Sequence, residues 1–353
     1  MAERAEIKKY NPEIDLLKFC FAIMIVYVHL ASQMGYPYFL NGNFGVEFFF
    51  MVSGFYLAKQ VREKEGDTTD RCLTYVKRRI TGIYPFLLVG LMMGIAEHLI
   101  YAGTQDIGTY LTYSLSELLL IQIYGYPTSG AVGVLWFSSA MMAAIVILYP
   151  CIKYGKRYFV RLLSLLIGLL LYGYMFQATN TVSYPMTFLG PVSKGLMRAV
   201  GSMCFGVFTY GLISETREET FKRKRILLRI GNILAYLVVF LVMTFAADDS
   251  PYVFFLIPVL LFAVCTSLSG WLPFFKASWF TKLCRYLGTL SLPIYMIQYP
   301  IVRILSHHIA SLRMKVNYII LFLAVFAVSA AVDAVIRLIR KGAVKEVPLT
   351  RAR

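Results

Sequence analysis

Ten long apolar runs are the feature of this sequence that most restricts its fold. A transmembrane helix needs about 20 mostly apolar residues. Only 15% of the residues are charged, whereas soluble domains carry about a quarter. The pattern therefore predicts an all-α, polytopic membrane protein, with residues 1–353 in a single membrane-embedded domain. The predicted spans are 15–35, 43–61, 83–102, 131–152, 159–177, 190–213, 230–247, 251–270, 286–306 and 317–338.

A further apolar stretch, residues 108–124, is shorter and carries Ser116 and Glu117. With ten spans and a cytoplasmic N-terminus, 29 of the 35 lysines and arginines fall on the cytoplasmic side, as the positive-inside rule requires. An eleventh span would move every later basic loop to the outside. We therefore predict ten spans, both termini in the cytoplasm, a basic tail at 340–353, and a short interfacial or re-entrant helix near 108–124.

The net charge of +16 is explained by the same rule. Basic loops of a membrane protein face anionic lipid headgroups, so the charge does not indicate nucleic-acid binding. The six cysteines are scattered, without a CxxC pair or a Cys/His cluster. The sequence therefore predicts neither a metal site nor a disulfide framework.

The first span contains two polar residues that are costly in a membrane. Lys18 and His29 are about three helical turns apart, on nearly the same face, at a separation of roughly 16 Å. Ionisable residues inside spans usually mark a functional site. The alternative is that Lys18 reaches the interface and His29 is satisfied by a neighbouring helix.

The other polar residues of the spans concentrate in the outer half of the membrane, whereas Lys18 lies near the inner end. This distribution predicts a polar cavity that opens outward and has a cationic cytoplasmic mouth. The outer-half residues, beside His29, are Glu47, Glu97, His98, Lys194, Arg198 and Gln298.

His29 and Glu47 are the predicted catalytic pair. A carboxylate that accepts from one ring nitrogen orients an imidazole and raises its basicity, so the other nitrogen can take a proton from a hydroxyl. In the alternative, Glu47 pairs with Arg198 as a structural ion pair. His98 is a second candidate base, although a position near the interface favours an exposed side chain.

Two smaller predictions concern packing. Ser53 has no base at helical spacing, and Gly54 beside it is expected to permit a close helix contact. Asp333 and Arg337 are four residues apart and are expected to form an ordinary helix ion pair.

Four ordered motifs resemble those of the acyltransferase-3 family of integral-membrane O-acyltransferases, over nearly the whole chain. They are Glu13-Ile14-Asp15-Leu16-Leu17-Lys18 followed by His29; Gly45-Val46-Glu47 through Ser53-Gly54-Phe55; Arg78-Arg79 with Ile83-Tyr84-Pro85; and Tyr286-Leu287-Gly288 with Ser291, Ile294-Tyr295 and Gln298. Leu135-Trp136-Phe137 is similar to the family's mid-chain tryptophan motif.

Three positions depart from the family pattern. Lys18 stands where arginine is usual, and Gly82 stands where a further arginine often precedes the Ile-Tyr-Pro motif. Gln298 replaces a common histidine and cannot carry a proton at neutral pH. The resemblance therefore leaves His29 as the family base.

The resemblance implies transfer of an acyl group, commonly acetyl from acetyl-CoA, to a hydroxyl of an extracytoplasmic or lipid-linked carbohydrate in a bacterial cell envelope. No metal is implied. The implied donor-binding residues are Lys18, Arg78 and Arg79, whose charges suit the phosphates of CoA. The implied substrate and oxyanion residues are Arg198, Gln298, Tyr295 and Trp136.

Two other functions fit the same residues. A transporter or exporter of a polar or lipid-linked sugar would also place polar groups in a ten-span bundle, but the halves of the chain show no repeat. A non-catalytic membrane module that binds a ligand is the other alternative, since Gln298 and Gly82 depart from the pattern. The presence of both His29 and Glu47 argues against it.

Overall fold

The computed structural model describes residues 11–63, 66–127, 130–216, 224–247, 252–270, 272 and 277–345. Most of the basic N-terminal tail and residues 346–353 of the predicted C-terminal tail lie outside these ranges. The helices are α1 (Pro12–Met34), α2 (Gly45–Glu63), α3 (Thr68–Tyr101), α4 (Ile107–Leu118), α5 (Trp136–Tyr154), α6 (Lys156–Thr179), α7 (Lys194–Glu215), α8 (Arg225–Phe245), α9 (Tyr252–Leu268), α10 (Ser278–Ile309) and α11 (Met314–Lys345).

The helices agree with a membrane protein that is nearly all α. Seven of them, α1, α3, α5, α6, α7, α8 and α11, are long and apolar enough to cross a membrane. Helices α2, α9 and α10 also coincide with predicted spans but lie outside that set. The count of ten spans therefore stays a prediction.

The stretch at 108–124 forms helix α4 and a separate 3-10 turn, Gln122–Tyr124. At ~1.5 Å per residue, the 12 residues of α4 extend about 18 Å, well short of the roughly 30 Å hydrocarbon core. The helix is therefore too short to span.

Two predicted spans begin later than the apolar pattern indicated. Residues 131–135 are not helical, and α5 begins at Trp136. Before α7, the strands β1 (Phe188–Leu189) and β2 (Val192–Ser193) form a short antiparallel hairpin. These are corrections to the predicted spans 131–152 and 190–213.

The start of α1 shows why the first motif folds as it does. The Asn11 side chain accepts from the N–H groups of Glu13 and Ile14, and Pro12 occupies the first turn, where its missing N–H matters least. Glu13 then pairs with Arg229 of α8 at 2.8 Å and accepts from Ser267 of α9 at 2.7 Å. The motif therefore ties the N-terminal end of α1 to two later helices.

Helices α2 and α7 approach each other closely enough for their backbones to touch. A Cβ atom at Gly54 would overlap the backbone of Met203, and one at Gly206 would overlap the backbone of Met51. The predicted packing role of Gly54 is confirmed. The predicted pair on α11 is also confirmed, with Arg337 Nε 2.8 Å from Asp333 Oδ2.

Candidate functional site

A cavity of about 320 Å³ lies between α1, α2, α3, α5 and α10. Three cations, Lys18, Arg78 and Arg79, line one end of it, which we call the inner end because the predicted topology places it toward the cytoplasm. The rest of the wall is mostly aromatic and aliphatic, with small polar side chains. It comprises Ile25, Val46, Phe49, Val52, Ser53, Tyr56, Gly82, Ile83, Phe137, Ser138, Met141, Gly288, Ser291, Leu292, Tyr295 and Met296.

The three cations are only partly occupied by protein partners. Lys18 Nζ lies 2.9 Å from Asp15 Oδ1, one turn away on α1. Arg79 donates to the Tyr75 hydroxyl at 2.8 Å and lies over that ring. Arg78 is exposed, and no side chain in the described ranges pairs with it. This end of the cavity can therefore bind a polyanion.

His29 lies one helical turn after Ile25 on α1. It is beyond the upper end of the cavity, the end opposite the three cations, and is not among the lining residues. The edge of its ring meets the Tyr299 ring of α10, with centroids 5.3 Å apart and planes at 86°. Within the described part of the chain, no group hydrogen-bonds to the imidazole. Neither ring nitrogen is therefore committed to a protein partner among the described residues.

Glu47 does not pair with His29. Its carboxylate is completely buried and accepts from Arg198 at both oxygens, from Nε at 2.6 Å and from Nη2 at 2.8 Å. The Tyr172 hydroxyl donates to it as well, at 3.1 Å. The predicted His29–Glu47 pair is wrong, because the planar guanidinium of Arg198 satisfies both carboxylate oxygens at once.

Arg198 makes four hydrogen bonds to the protein from its five N–H donors. Its other donors reach the carbonyl oxygens of Val182 at 2.9 Å and Asn43 at 3.2 Å, and its guanidinium lies 5.1 Å from the Trp136 ring centroid. Arg198 thus belongs to a buried structural unit, and the partly buried Trp136 packs against it. The predicted role of Arg198 as an oxyanion donor has no support in this geometry.

Tyr295 and Gln298 lie on α10 near the upper end of the cavity. The Tyr295 hydroxyl donates to the Val134 carbonyl, and its ring lies 5.5 Å from Phe137. Gln298 is buried and donates to the Tyr295 carbonyl at 3.2 Å, while its Oε1 has no partner among the described atoms. Tyr295 is therefore a wall of the cavity, and Gln298 lies behind it.

The remaining histidines lie elsewhere. His98 stacks on Tyr110, and His307 stacks on Tyr101, whose hydroxyl is 2.7 Å from His308 Nε2. In the ranges that the structure covers, no group of three or more His, Cys, Asp or Glu side chains could hold a metal ion.

Sequence reasoning missed Tyr299 and gave no partner to Glu117. Tyr299 is the ring that contacts His29, and Glu117 of α4 is completely buried against the backbone of residues 132 and 133. The signal for Glu117 was available, since it is a carboxylate in an otherwise apolar stretch. Tyr299 was hidden among many aromatic residues.

Comparison with known proteins identifies the family. The acyltransferase-3 family model, described as an acyltransferase domain, matches residues 11–336. No curated protein and no solved structure matches the chain. The chain belongs to the acyltransferase-3 family, and with its long apolar helices it is an integral membrane protein.

Proposed function

We propose, from this family membership, that the protein transfers an acyl group, acetyl from cytosolic acetyl-CoA, to a hydroxyl of an extracytoplasmic or lipid-linked carbohydrate. One observation carries the proposal. A cavity lined at its inner end by Lys18, Arg78 and Arg79 ends at Ile25, one turn below His29. Cations that can bind a polyanion thus lie at one end of the cavity, and His29, which can accept a proton, lies just beyond the other end.

The inner end suits the phosphates of CoA. Charge-assisted hydrogen bonds from arginine and lysine are the strongest that a protein offers to phosphate. The wall above them is mainly apolar and can surround the pantetheine arm. The volume is at the lower end of the roughly 300–1,000 Å³ range of small-molecule sites.

In the proposed reaction, His29 takes the proton of the acceptor hydroxyl as the oxygen attacks the thioester carbonyl carbon. The new C–O bond forms, the C–S bond breaks, and the leaving thiolate receives the proton from the imidazolium. Since Glu47 is bound to Arg198 and does not reach His29, the Tyr299 ring orients the imidazole in its place.

The acyl end of the donor has to pass Ile25 and Tyr295 to reach His29. Ile25 and His29 share one face of α1, and Tyr295 and Tyr299 share one face of α10, each pair one turn apart. The remaining distance is about 6 Å at ~1.5 Å per residue.

Inside-out membrane vesicles supplied with radiolabelled acetyl-CoA test the proposal. The wild-type protein should place label on carbohydrate, and His29→Ala should lower the rate about 10²–10⁴-fold, the usual contribution of a general base. His98→Ala is the matched control, since His98 is only partly buried, stacks on Tyr110 and does not line the cavity.

Full transfer by His29→Ala at normal protein levels would overturn the mechanism. A transporter would move sugar without labelling it, and a non-catalytic module would do neither. Mass spectrometry of surface glycans, with and without the protein, then identifies the acceptor among wall polymers, exopolysaccharide, lipid-linked oligosaccharide and peptidoglycan.

A further inference from the structure

Residues 130–134, which we name the buried segment, form the last part of the connection from α4 to α5 and are not helical. Ala131 and Val132 are completely buried, and Val134 is 3% exposed. Irregular backbone inside a membrane protein persists only where its polar groups find partners. In the buried segment, side chains from two helices provide those partners.

Helix α4 binds the N–H groups. Glu117 Oε2 accepts from Val132 N at 2.8 Å, and Glu117 Oε1 accepts from Gly133 N at 2.6 Å. Ser114 Oγ accepts from Ala131 N at 3.1 Å. Glu117 therefore uses one oxygen on each of two successive backbone donors.

Helix α10 binds the carbonyl groups. Arg303 Nη2 donates to Ala131 O at 2.8 Å, and the Tyr295 hydroxyl donates to Val134 O. Arg303 is held in turn by Glu97 of α3, with Nε 3.1 Å from Oε2. Since Tyr295 also lines the cavity, the buried segment supports the cavity wall.

The buried segment also touches the ring that contacts His29. Gly133 has a φ of +72°, and a Cβ there would lie 2.8 Å from Cδ1 of Tyr299. The Arg303 guanidinium lies 5.2 Å from the Tyr299 ring centroid, and His29 lies 5.3 Å from it. Gly133, Arg303 and His29 together surround this ring.

We propose that Glu117 is a positioning residue for His29. By binding Val132 and Gly133 it holds the buried segment against Tyr299, and Tyr299 fixes the plane of the His29 imidazole. The inference rests on the proposed function. Glu117 does not touch a reacting atom, and it acts through two intermediate contacts.

The first test is Glu117→Gln. The amide keeps the volume and one acceptor oxygen, but its NH₂ group faces a backbone N–H and cannot accept from it. We expect kcat per folded molecule to fall about 10–100-fold, since small misplacements of a catalytic group have effects of that size. The KM for acetyl-CoA should stay within about threefold, because Lys18, Arg78 and Arg79 are unchanged.

Tyr299→Leu is the second variant, and it guards against misfolding because Tyr299 is only partly buried. It should show the same split, a lower kcat with an unchanged KM. Asp333→Asn is the control, since it removes an ion pair on α11 and should leave both constants unchanged. If either test variant lowers only the amount of folded protein, with kcat per molecule intact, the inference is wrong.

A second readout does not need activity. Val132→Cys is a small change at a completely buried position, and mass spectrometry can follow its modification by a thiol reagent. We expect labelling at least about tenfold faster when Glu117→Gln is added, since the segment is released. Unchanged labelling overturns the inference. Faster labelling with unchanged kcat confirms the contact but overturns the positioning role.

The two proposals fail separately. If the wild-type protein transfers no acyl group, the proposed function is wrong. The labelling of Val132→Cys still tests Glu117 in that case, and unchanged labelling would show that Glu117 does not hold the buried segment in place. If His29→Ala abolishes transfer and Glu117→Gln does not lower kcat, the function stands and the positioning role falls.

Discussion

The cations that line the cavity and the buried cation Arg198 differ in how much of their hydrogen-bonding capacity is used by the protein. Lys18, Arg78 and Arg79 line the cavity and are exposed or half-exposed, with few protein partners. Arg198 is completely buried and donates to Glu47 and two backbone carbonyls. Both suit anion binding by residue type, but only Lys18, Arg78 and Arg79 present donors to a cavity.

The energetic consequences differ as well. Removing one member of a buried ion pair leaves the other charged, buried and unpaired, which costs about 3–5 kcal/mol. Removing a partly exposed cation leaves no completely buried charge without a partner. Substitutions in the two groups should therefore affect different measurements.

Arg198→Ala should have the largest effect. It leaves the buried Glu47 carboxylate and two carbonyl groups without their hydrogen-bond donor. We therefore expect the free energy of unfolding to fall by about 3–5 kcal/mol and little folded protein to remain. Thermal unfolding after detergent extraction measures this. Normal stability in Arg198→Ala would mean that the buried pair is not the structural unit described above.

The double variant Arg78→Ala/Arg79→Ala should come next, and it should act on the donor alone. We expect the KM for acetyl-CoA to rise about 10–100-fold, since about 1.4 kcal/mol corresponds to a factor of ten. Raising the salt concentration should also raise the KM of the wild-type protein for acetyl-CoA, because salt screens the attraction between these cations and the phosphates. An unchanged KM would remove these residues from the donor site.

Lys18→Gln should raise the same KM by only about threefold, because Asp15 already offsets part of the Lys18 charge. Lys18→Arg is the matched variant and should equal or improve the wild-type KM, since guanidinium binds phosphate with a fork. A large loss in Lys18→Arg would indicate that the cavity requires the slimmer ammonium group.

Asp333→Asn should have the smallest effect. The pair with Arg337 is an ordinary helix contact, and Arg337 is 51% exposed. We expect a change within about 0.5 kcal/mol and no change in KM. A marked loss of stability would contradict the comparison, because it would show that an ion pair with an exposed arginine matters as much to stability as the buried Glu47–Arg198 pair.

The sequence determined the helices better than their ends. Every predicted span coincides with a helix, because apolar runs of that length are a strong signal. The apolar run from residue 131 nevertheless begins with non-helical backbone. It is stabilised by Glu117, 15 residues before Val132, and by Arg303, 172 residues after Ala131, and local hydrophobicity carries no information on such partners.

The positions of the site residues could be anticipated only in part. The resemblance named Lys18, Arg78 and Arg79 together, and the structure places all three in the lining of one cavity, whereas their role in donor binding stays a prediction. The direction in which a side chain points depends on packing. Glu47 is seven residues, about two turns, before Gly54, so it shares the face that contacts α7 and its partner is Arg198.

The touching backbones of α2 and α7 limit how the protein can open. A side chain larger than that of glycine at position 54 or 206 would overlap the backbone of the other helix, so the two helices form one closely packed unit. The opposite side of the cavity, formed by α3 and α10, contains the interior prolines Pro85, Pro293 and Pro300, each of which removes a backbone hydrogen bond. We therefore expect any widening of the cavity to come from bending of α3 and α10 at these prolines, and not from separation of α2 and α7.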